Sequence, residues 1–356
     1  MLKMCYSGKC IWEKDSGDCG YPQDVFFREI FPHTMCYFGD VDDDNENVKT
    51  VKIAYECHKK LRKLKSDQQH ERVGILKRKG VNPLLYIDER CPITTPFDIF
   101  HNQEIEKINK HGSVGVGVGA TINREEKFYS LQFGDLFHEP VMRIKLDEIR
   151  KYYNLKFEID LDMFFKSVER IISCNNIKPQ YGFPESDEYI FEGSQGLLLD
   201  PNIGFFPHVT RSYVSTKNII DSGFNPELYL VTRAYQTRHG NGSMVGENIS
   251  HNILINPNET NVTHPHQGVF RRTLLNLDLL VYSINKDPYI RFSKNKILVI
   301  TCLDHIVNEH RFTYKNEIIT SSNEDEFIQK VSEILGIKNV LISKSDESKN
   351  IINWRF

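Results

Sequence analysis

No Cys-x-x-Cys pair occurs anywhere in the 356-residue chain, so the ligand spacing of a zinc ribbon is missing. No apolar run approaches the roughly 18 residues of a membrane-spanning helix. The opening MLKMCYSGKCIWEKD holds no apolar stretch of signal-peptide length. A bulk excess of one charge is missing too: 45 Lys and Arg stand against 48 Asp and Glu, for a formal net charge of -3. That balance gives no electrostatic case for a nucleic acid or a membrane surface. Anion binding therefore falls to local Arg, Lys and backbone N–H groups. No internal repeat or low-complexity linker splits the chain into independent domains.

Hydrophobic residues make up 40% and charged residues 26%, an ordinary globular composition with enough chain for a sizeable core. Eight cysteines lie at Cys5, Cys10, Cys19, Cys36, Cys57, Cys91, Cys174 and Cys302. With neither signal nor membrane span, they read as reduced thiols of a cytoplasmic protein. The crowding of Cys5, Cys10, Cys19 and Cys36 leaves a metal or disulfide cluster open, although no ligand spacing supports one.

Residues 1–47 read as irregular, and their acidic run Asp40 to Glu46 as a solvated loop, with a magnesium site as the alternative. Residues 48–79 are Lys-rich and predict a helix that stops at Gly80. A strand is expected at 84–87, then a proline-bearing loop at Cys91 to Pro96, a helix over 97–110 and a Gly-rich stretch over 111–122. Further strands are expected at 188–191, 228–231 and 297–300, and helices at 144–152, 161–175, 273–285 and 324–335. Strands alternating with helices predict an α/β fold, one large domain around a central, mostly parallel sheet.

The segment richest in chemistry is Phe191-Glu192-Gly193-Ser194-Gln195-Gly196-Leu197-Leu198-Leu199-Asp200, followed by Gly204 to Ser212, GFFPHVTRS. Its two glycines let backbone N–H groups approach a ligand. Gln195 between them offers an amide to a purine or a transferred phosphoryl group. On the residues alone, a tight turn with structural glycines is an equal reading.

This segment closely resembles the adenylosuccinate synthetase signature E-G-A-Q-G-x-x-L-D with Y/F-P-x-V-T-S-S. Further matches follow in order: Glu89-Arg90-Cys91-Pro92 with E-A-C-P, His111 to Gly119 with a Gly-rich loop, and Phe133 to Phe137 with V-G-D-L-F. Thr232 to Gly240 is similar to T-K-A-Y-x-T-R-V-G, and Thr301-Cys302-Leu303-Asp304 to T-K-L-D. The resemblance implies a P-loop-GTPase-like adenylosuccinate synthetase architecture over residues 75–356, with residues 1–74 a divergent N-terminal segment. It also implies a homodimer that joins aspartate to inosine monophosphate using GTP and magnesium.

Carried over residue by residue, Gln195 would hold the 6-phosphorylated purine, and Thr210 with Ser113, Val114 and Gly115 would grip the nucleotide's phosphate. The same resemblance assigns Thr301, Asp304 and Ser343 to GTP, with Asp304 accepting guanine N–H groups. Arg271 and Arg272 fall where the family binds aspartate, and guanidinium forks suit a dicarboxylate. Arg238 reads as structural or as a nucleotide contact. The family sends an arginine across a dimer interface; ungapped alignment puts it at Phe128, and Arg124, about one helical turn earlier, would substitute.

The N-terminal part departs from the family. The sequence has no G-D-E-G-K-G, and Ser7-Gly8-Lys9-Cys10, with no hydrophobic strand expected before it, is the nearest scrap. Pro32-His33-Thr34 stands nearest the family's G-H-T, which makes His33 the candidate acid. The base stays open between Asp18 and an acidic residue of 40–46. The expected function is thus GTP-dependent adenylosuccinate synthesis. The alternative is a catalytically impaired, nucleotide-binding relative with a regulatory or interaction role.

Overall fold

The computed structural model describes the strand backbone at residues 3–7, 36–40 and 51–53. It also describes residues 83–355 apart from 111, 187, 194, 257, 258, 260, 262, 264–266 and 346–349. In chain order the strands begin with β1 (Lys3–Ser7), β2 (Cys36–Asp40), β3 (Val51–Ile53), β4 (Pro83–Asp88), β5 (Ile177–Gln180), β6 (Ile190–Glu192) and β7 (Leu228–Arg233). They continue with β8 (Tyr235–His239), β9 (Phe270–Asn276), β10 (Lys296–Thr301), β11 (His310–Tyr314), β12 (Glu317–Ser321), β13 (Asn339–Ser343) and β14 (Ile351–Trp354). The helices are α1 (Pro96–Asn109), α2 (Val118–Glu125), α3 (Glu139–Tyr152), α4 (Asp162–Ile172), α5 (Lys217–Asp221), α6 (Leu277–Lys286), α7 (Pro288–Phe292) and α8 (Glu324–Leu335).

The fold is α/β as expected, and its elements group into two compact units. The first comprises Met1–Phe26 with Glu192–Phe356, and the second is Phe27–Phe191. The expected boundary between 74 and 75 lies outside the described residues.

In the first unit β7, β10 and β13 run parallel, with Thr301 opposite Arg233 and Ile300 opposite Ile342. Their inward side chains Leu228, Leu230, Leu298 and Ile300 are fully buried. Near-continuous apolar runs of this kind are what parallel strands covered on both faces require. Antiparallel β1 flanks β7, and antiparallel β14 flanks β13. A second sheet orders β12-β11-β9-β8. Helix α8 starts where Asn323 accepts the Glu326 N–H at 2.9 Å and stops at Gly336, whose φ of 67° is left-handed. It buries Phe327, Ile328 and Val331 completely.

In the second unit β2 pairs antiparallel with β3 and β4, and β4 pairs parallel with β5. Helix α1 opens with a capping box: the Thr95 hydroxyl accepts from the Asp98 N–H, and the Asp98 carboxylate accepts from the Thr95 N–H at 2.6 Å.

Several expectations shift. The helix expected over 273–285 is strand β9 up to Asn276 and helix α6 from Leu277, where the Asn276 side chain caps the Leu279 N–H at 2.8 Å. The helix expected over 48–79 contains β3, recruited as a strand by β2, and its remainder lies outside the described residues. The expected irregular 1–47 contains β1 and β2, so a strand does precede Ser7-Gly8-Lys9. Helix α3 begins five residues before the expected 144, with Pro140 in its first turn.

Candidate active site

The glycine-flanked turn leaves β6 and puts Gln195 at φ 57°, a left-handed conformation that is uncommon outside glycine. A single 3-10 turn, Leu197–Leu199, then leads to Asp200. The Asp200 carboxylate is fully buried and accepts the N–H groups of Asn202 at 2.9 Å, Val214 at 2.8 Å and Ser215 at 3.0 Å. The loop between is thereby folded back, and the Thr210 N–H reaches the Leu199 carbonyl at 2.8 Å. Gly204 packs on the Leu198 carbonyl, where a Cβ would overlap it. The final Asp of the motif is thus the anchor of a loop that brings Thr210 back to Leu199, four residues beyond Gln195.

The parallel register lines up Arg233, Thr301 and Ser343 at the carboxyl ends of β7, β10 and β13. Open α/β sheets present ligand sites at this end. The Thr301 hydroxyl donates to the Thr232 carbonyl at 3.3 Å, and the Ser343 hydroxyl to the Ser345 carbonyl at 2.8 Å. Beyond β10, Cys302 takes φ 59° and a 3-10 turn carries Asp304, whose side chain is 41% exposed. Behind it Arg233 donates to the Tyr235 hydroxyl at 2.8 Å and to Glu259 at 2.9 Å, and Tyr235 meets His305 Nδ1 at 2.9 Å.

Burial dominates the titration of this cluster. It pushes the Tyr235 phenol up to about 12 and raises the Cys302 thiol. It lowers His305, with Asp304 opposing it, so the imidazole is held neutral. Burial also works against charge on Arg233 and Glu259, but their mutual bond and the surrounding groups outweigh it, and both stay ionised.

Antiparallel pairing of β8 with β9 sets Arg238 directly opposite Arg271 and Thr237 opposite Arg272. Arg271 donates to Glu247 at 2.8 Å and to the Gly240 and Gly242 carbonyls at 2.6 and 2.8 Å. Arg272 donates to the Leu254 carbonyl at 3.2 Å. Arg238 bonds only carbonyls among its described partners, those of Asn241 at 2.9 Å and His208 at 3.2 Å, and burial with the neighbouring Arg271 lowers its pKa. The pair expected to capture a dicarboxylate is therefore already engaged, Arg271 by a carboxylate.

The remaining expected phosphate contacts fall in the second unit. The Gly-rich loop is latched to α1: Asn102 holds the Gly117 N–H at 3.0 Å and the Ser113 hydroxyl at 3.4 Å, and Gln103 donates to the Gly115 carbonyl at 3.1 Å. A Cβ on Gly117 would lie 2.9 Å from the Ile99 nitrogen, so the loop approaches the helix more closely than a larger residue allows. Ser113, Val114 and Gly115 form this latched bend. Arg124 is a correction. It is fully buried, donates to Asp98 at 2.8 and 3.2 Å, to Glu125 at 2.7 Å and to the Tyr129 carbonyl at 2.7 Å, and also bonds the Ile93 carbonyl. It cannot extend to a substrate, because Asp98, 26 positions earlier, holds it inside. His33 lies outside the described residues.

Among the described residues no group of three or more His, Cys, Asp or Glu side chains could hold a metal ion, so they form no protein cage for magnesium. No helix among them is long and apolar enough to cross a membrane.

A family model, described as adenylosuccinate synthetase, matches residues 63–334. The chain belongs to the adenylosuccinate synthetase family. It is 31% identical over 196 residues to the adenylosuccinate synthetase of Nitrosospira multiformis, covering 48% of this chain and 45% of that protein. With that of Ectopseudomonas mendocina it shares 32% over 193 residues, 47% and 44% of the two chains. The chain thus spans less than half the length of these curated relatives in alignment. A fully ligated adenylosuccinate synthetase from Plasmodium falciparum has the same fold, with a TM-score of 0.54 at 14% identity over 76% of this chain and 78% of that one.

Against the adenylosuccinate synthetase pattern, the matched region includes Gln195, Thr210 and Asp304 but neither Ser343 nor His33. Sequence reasoning passed over Tyr235, Glu259 and His305. Tyr235 and Arg233 lie inside the quoted T-R-A-Y segment, and His305 directly follows Asp304, so adjacency to the family motifs was their only signal.

Proposed function

We propose that this chain joins aspartate to inosine monophosphate with GTP as phosphoryl donor, giving adenylosuccinate for purine nucleotide biosynthesis. The observation that carries this reading is the Gln195 turn followed by the Thr210 loop, which the buried Asp200 carboxylate and the Leu199 carbonyl fold back onto the same motif. Gln195 would direct its amide to the 6-position of the purine, and Thr210 would bind the monophosphate. The γ-phosphoryl group of GTP passes to the purine 6-oxygen, leaving GDP. The aspartate amine then attacks C6, and phosphate leaves. Placement of these groups, more than any covalent chemistry by the protein, accelerates such a transfer.

On the donor side, Thr301, Asp304 and Ser343 share one end of the parallel strands, which supports a guanine site there. Ser113, Val114 and Gly115 are assigned to the monophosphate, and Arg238 and Arg272 to substrate anions. Magnesium would enter with the triphosphate and offset the charge on its oxygens. A homodimer in the cytoplasm belongs to the same proposal.

A second reading, nucleotide binding without turnover in a regulatory or interaction role, draws on Arg271, which Glu247 already occupies at 2.8 Å. Single-turnover absorbance with inosine monophosphate, GTP, aspartate and magnesium separates the two. Adenylosuccinate formation supports the ligase, and nucleotide binding by calorimetry without turnover supports the second reading. Absence of both rejects each.

A further inference from the structure

We infer that Arg233, Tyr235 and His305 form a positioning relay that holds Asp304 for reading the purine base of a nucleoside triphosphate. The inference rests on the nucleotide reading above and adds three residues to it.

The direction of the relay follows from donor and acceptor chemistry. Arginine has donors only, so the Tyr235 oxygen must accept from Arg233 at 2.8 Å. The phenol has one proton left to give, and His305 Nδ1 lies 2.9 Å away. Tyr235 is 1% exposed, so water does not compete for that proton. His305 Nδ1 is therefore the acceptor, and the neutral ring carries its proton on Nε2. Nε2 faces Asp304 Oδ2 at 3.7 Å. That separation is too long for a direct hydrogen bond but within electrostatic reach of the carboxylate. Glu259 fixes the far end by holding Arg233 at 2.9 Å. The charged groups acting on the imidazole are Asp304, Arg233, Glu259 and Arg272.

Such a chain gives Asp304 a fixed polar neighbour on one side while its carboxylate stays open to solvent on the other. Guanine offers a carboxylate two donors, the ring N–H and the exocyclic amine, whereas hypoxanthine offers only the ring N–H. A carboxylate held in one orientation rewards the second donor; a swinging one does not. His305 and Tyr235 therefore set the preference for GTP over inosine triphosphate without touching either nucleotide.

The test is calorimetric titration of GTP and of inosine triphosphate into the full chain and into Tyr235→Phe, His305→Leu and His305→Gln proteins, each checked by its thermal transition. The wild type is expected to prefer GTP. Tyr235→Phe and His305→Leu should lose about tenfold of that preference, while His305→Gln, which keeps an N–H for Asp304, should retain most of it. A wild-type preference that survives unchanged in both Tyr235→Phe and His305→Leu overturns the relay and leaves the nucleotide reading standing. A wild type that binds neither triphosphate, or binds both equally, overturns the guanine reading and the relay with it.

Discussion

Two arginine–tyrosine–carboxylate networks in this molecule look alike on paper and differ in how they end. In the second unit Arg124 and Asp98 are both completely buried, and Tyr153 closes the circle by donating to Asp98 at 2.7 Å. Every charge there is answered inside the protein. In the first unit the chain from Arg233 through Tyr235 and His305 ends at Asp304, whose side chain is 41% exposed. A sealed network stabilises the fold and has no donor or acceptor left for a ligand. An open-ended one spends part of its bonding capacity on a group that faces solvent, the arrangement of a binding site.

The contrast breaks most visibly at Arg124. An Arg124→Met protein leaves the buried Asp98 carboxylate with neutral donors only, Tyr153 and Thr95, and loss of the charged partner of a buried pair costs about 3–5 kcal/mol. Urea unfolding followed by circular dichroism should record that loss. A near-neutral result would mean the network is less sealed than its burial indicates.

The two phenols sharpen the comparison. Tyr153→Phe removes one donor to Asp98 and should lower stability by about 1 kcal/mol while leaving the preference for GTP over inosine triphosphate unchanged. Tyr235→Phe should do the reverse in kind, moving the preference more than the urea midpoint. Equal behaviour of the two variants would remove the distinction between the networks.

The smallest effect is in pH. Burial holds the His305 pKa below its ordinary 6.5, with Asp304 opposing. As pH falls the unfolded imidazole protonates first. The stability tied to the neutral ring is therefore complete above about pH 6.5 and declines as pH drops through the lower folded value. A His305→Gln protein should lose less of its urea midpoint than the wild type between about pH 7.5 and about pH 5.5.

Much of this was legible in the residues where local signals agree with the fold. Asn323 and Gly336 bracket a helix expected over 324–335 and observed as Glu324–Leu335, because cap and stop chemistry is local. The apolar run Leu274 to Leu280 carries no period that separates strand from helix, so the change at Asn276 became visible only through its pairing with Thr313 of β11 and its cap. Val51–Ile53 sits in Lys-rich, helix-favouring sequence, and pairing with β2 overrides that preference. Gln195 and Thr210 were readable as a motif, but Asp200 as their anchor required the fold. Arg124 was misread because its partner Asp98 lies in another helix, and an arginine whose counter-charge is distant in sequence looks free.

Calorimetry of inosine monophosphate against the wild-type and Gln195→Ala proteins isolates purine recognition by the Gln195 amide. Alanine keeps the strained left-handed backbone at position 195 comparable, so the difference reports the amide itself. The wild type is expected to bind, with affinity about tenfold weaker in Gln195→Ala. Equal affinity in the two proteins, or binding by neither, would contradict recognition by the amide.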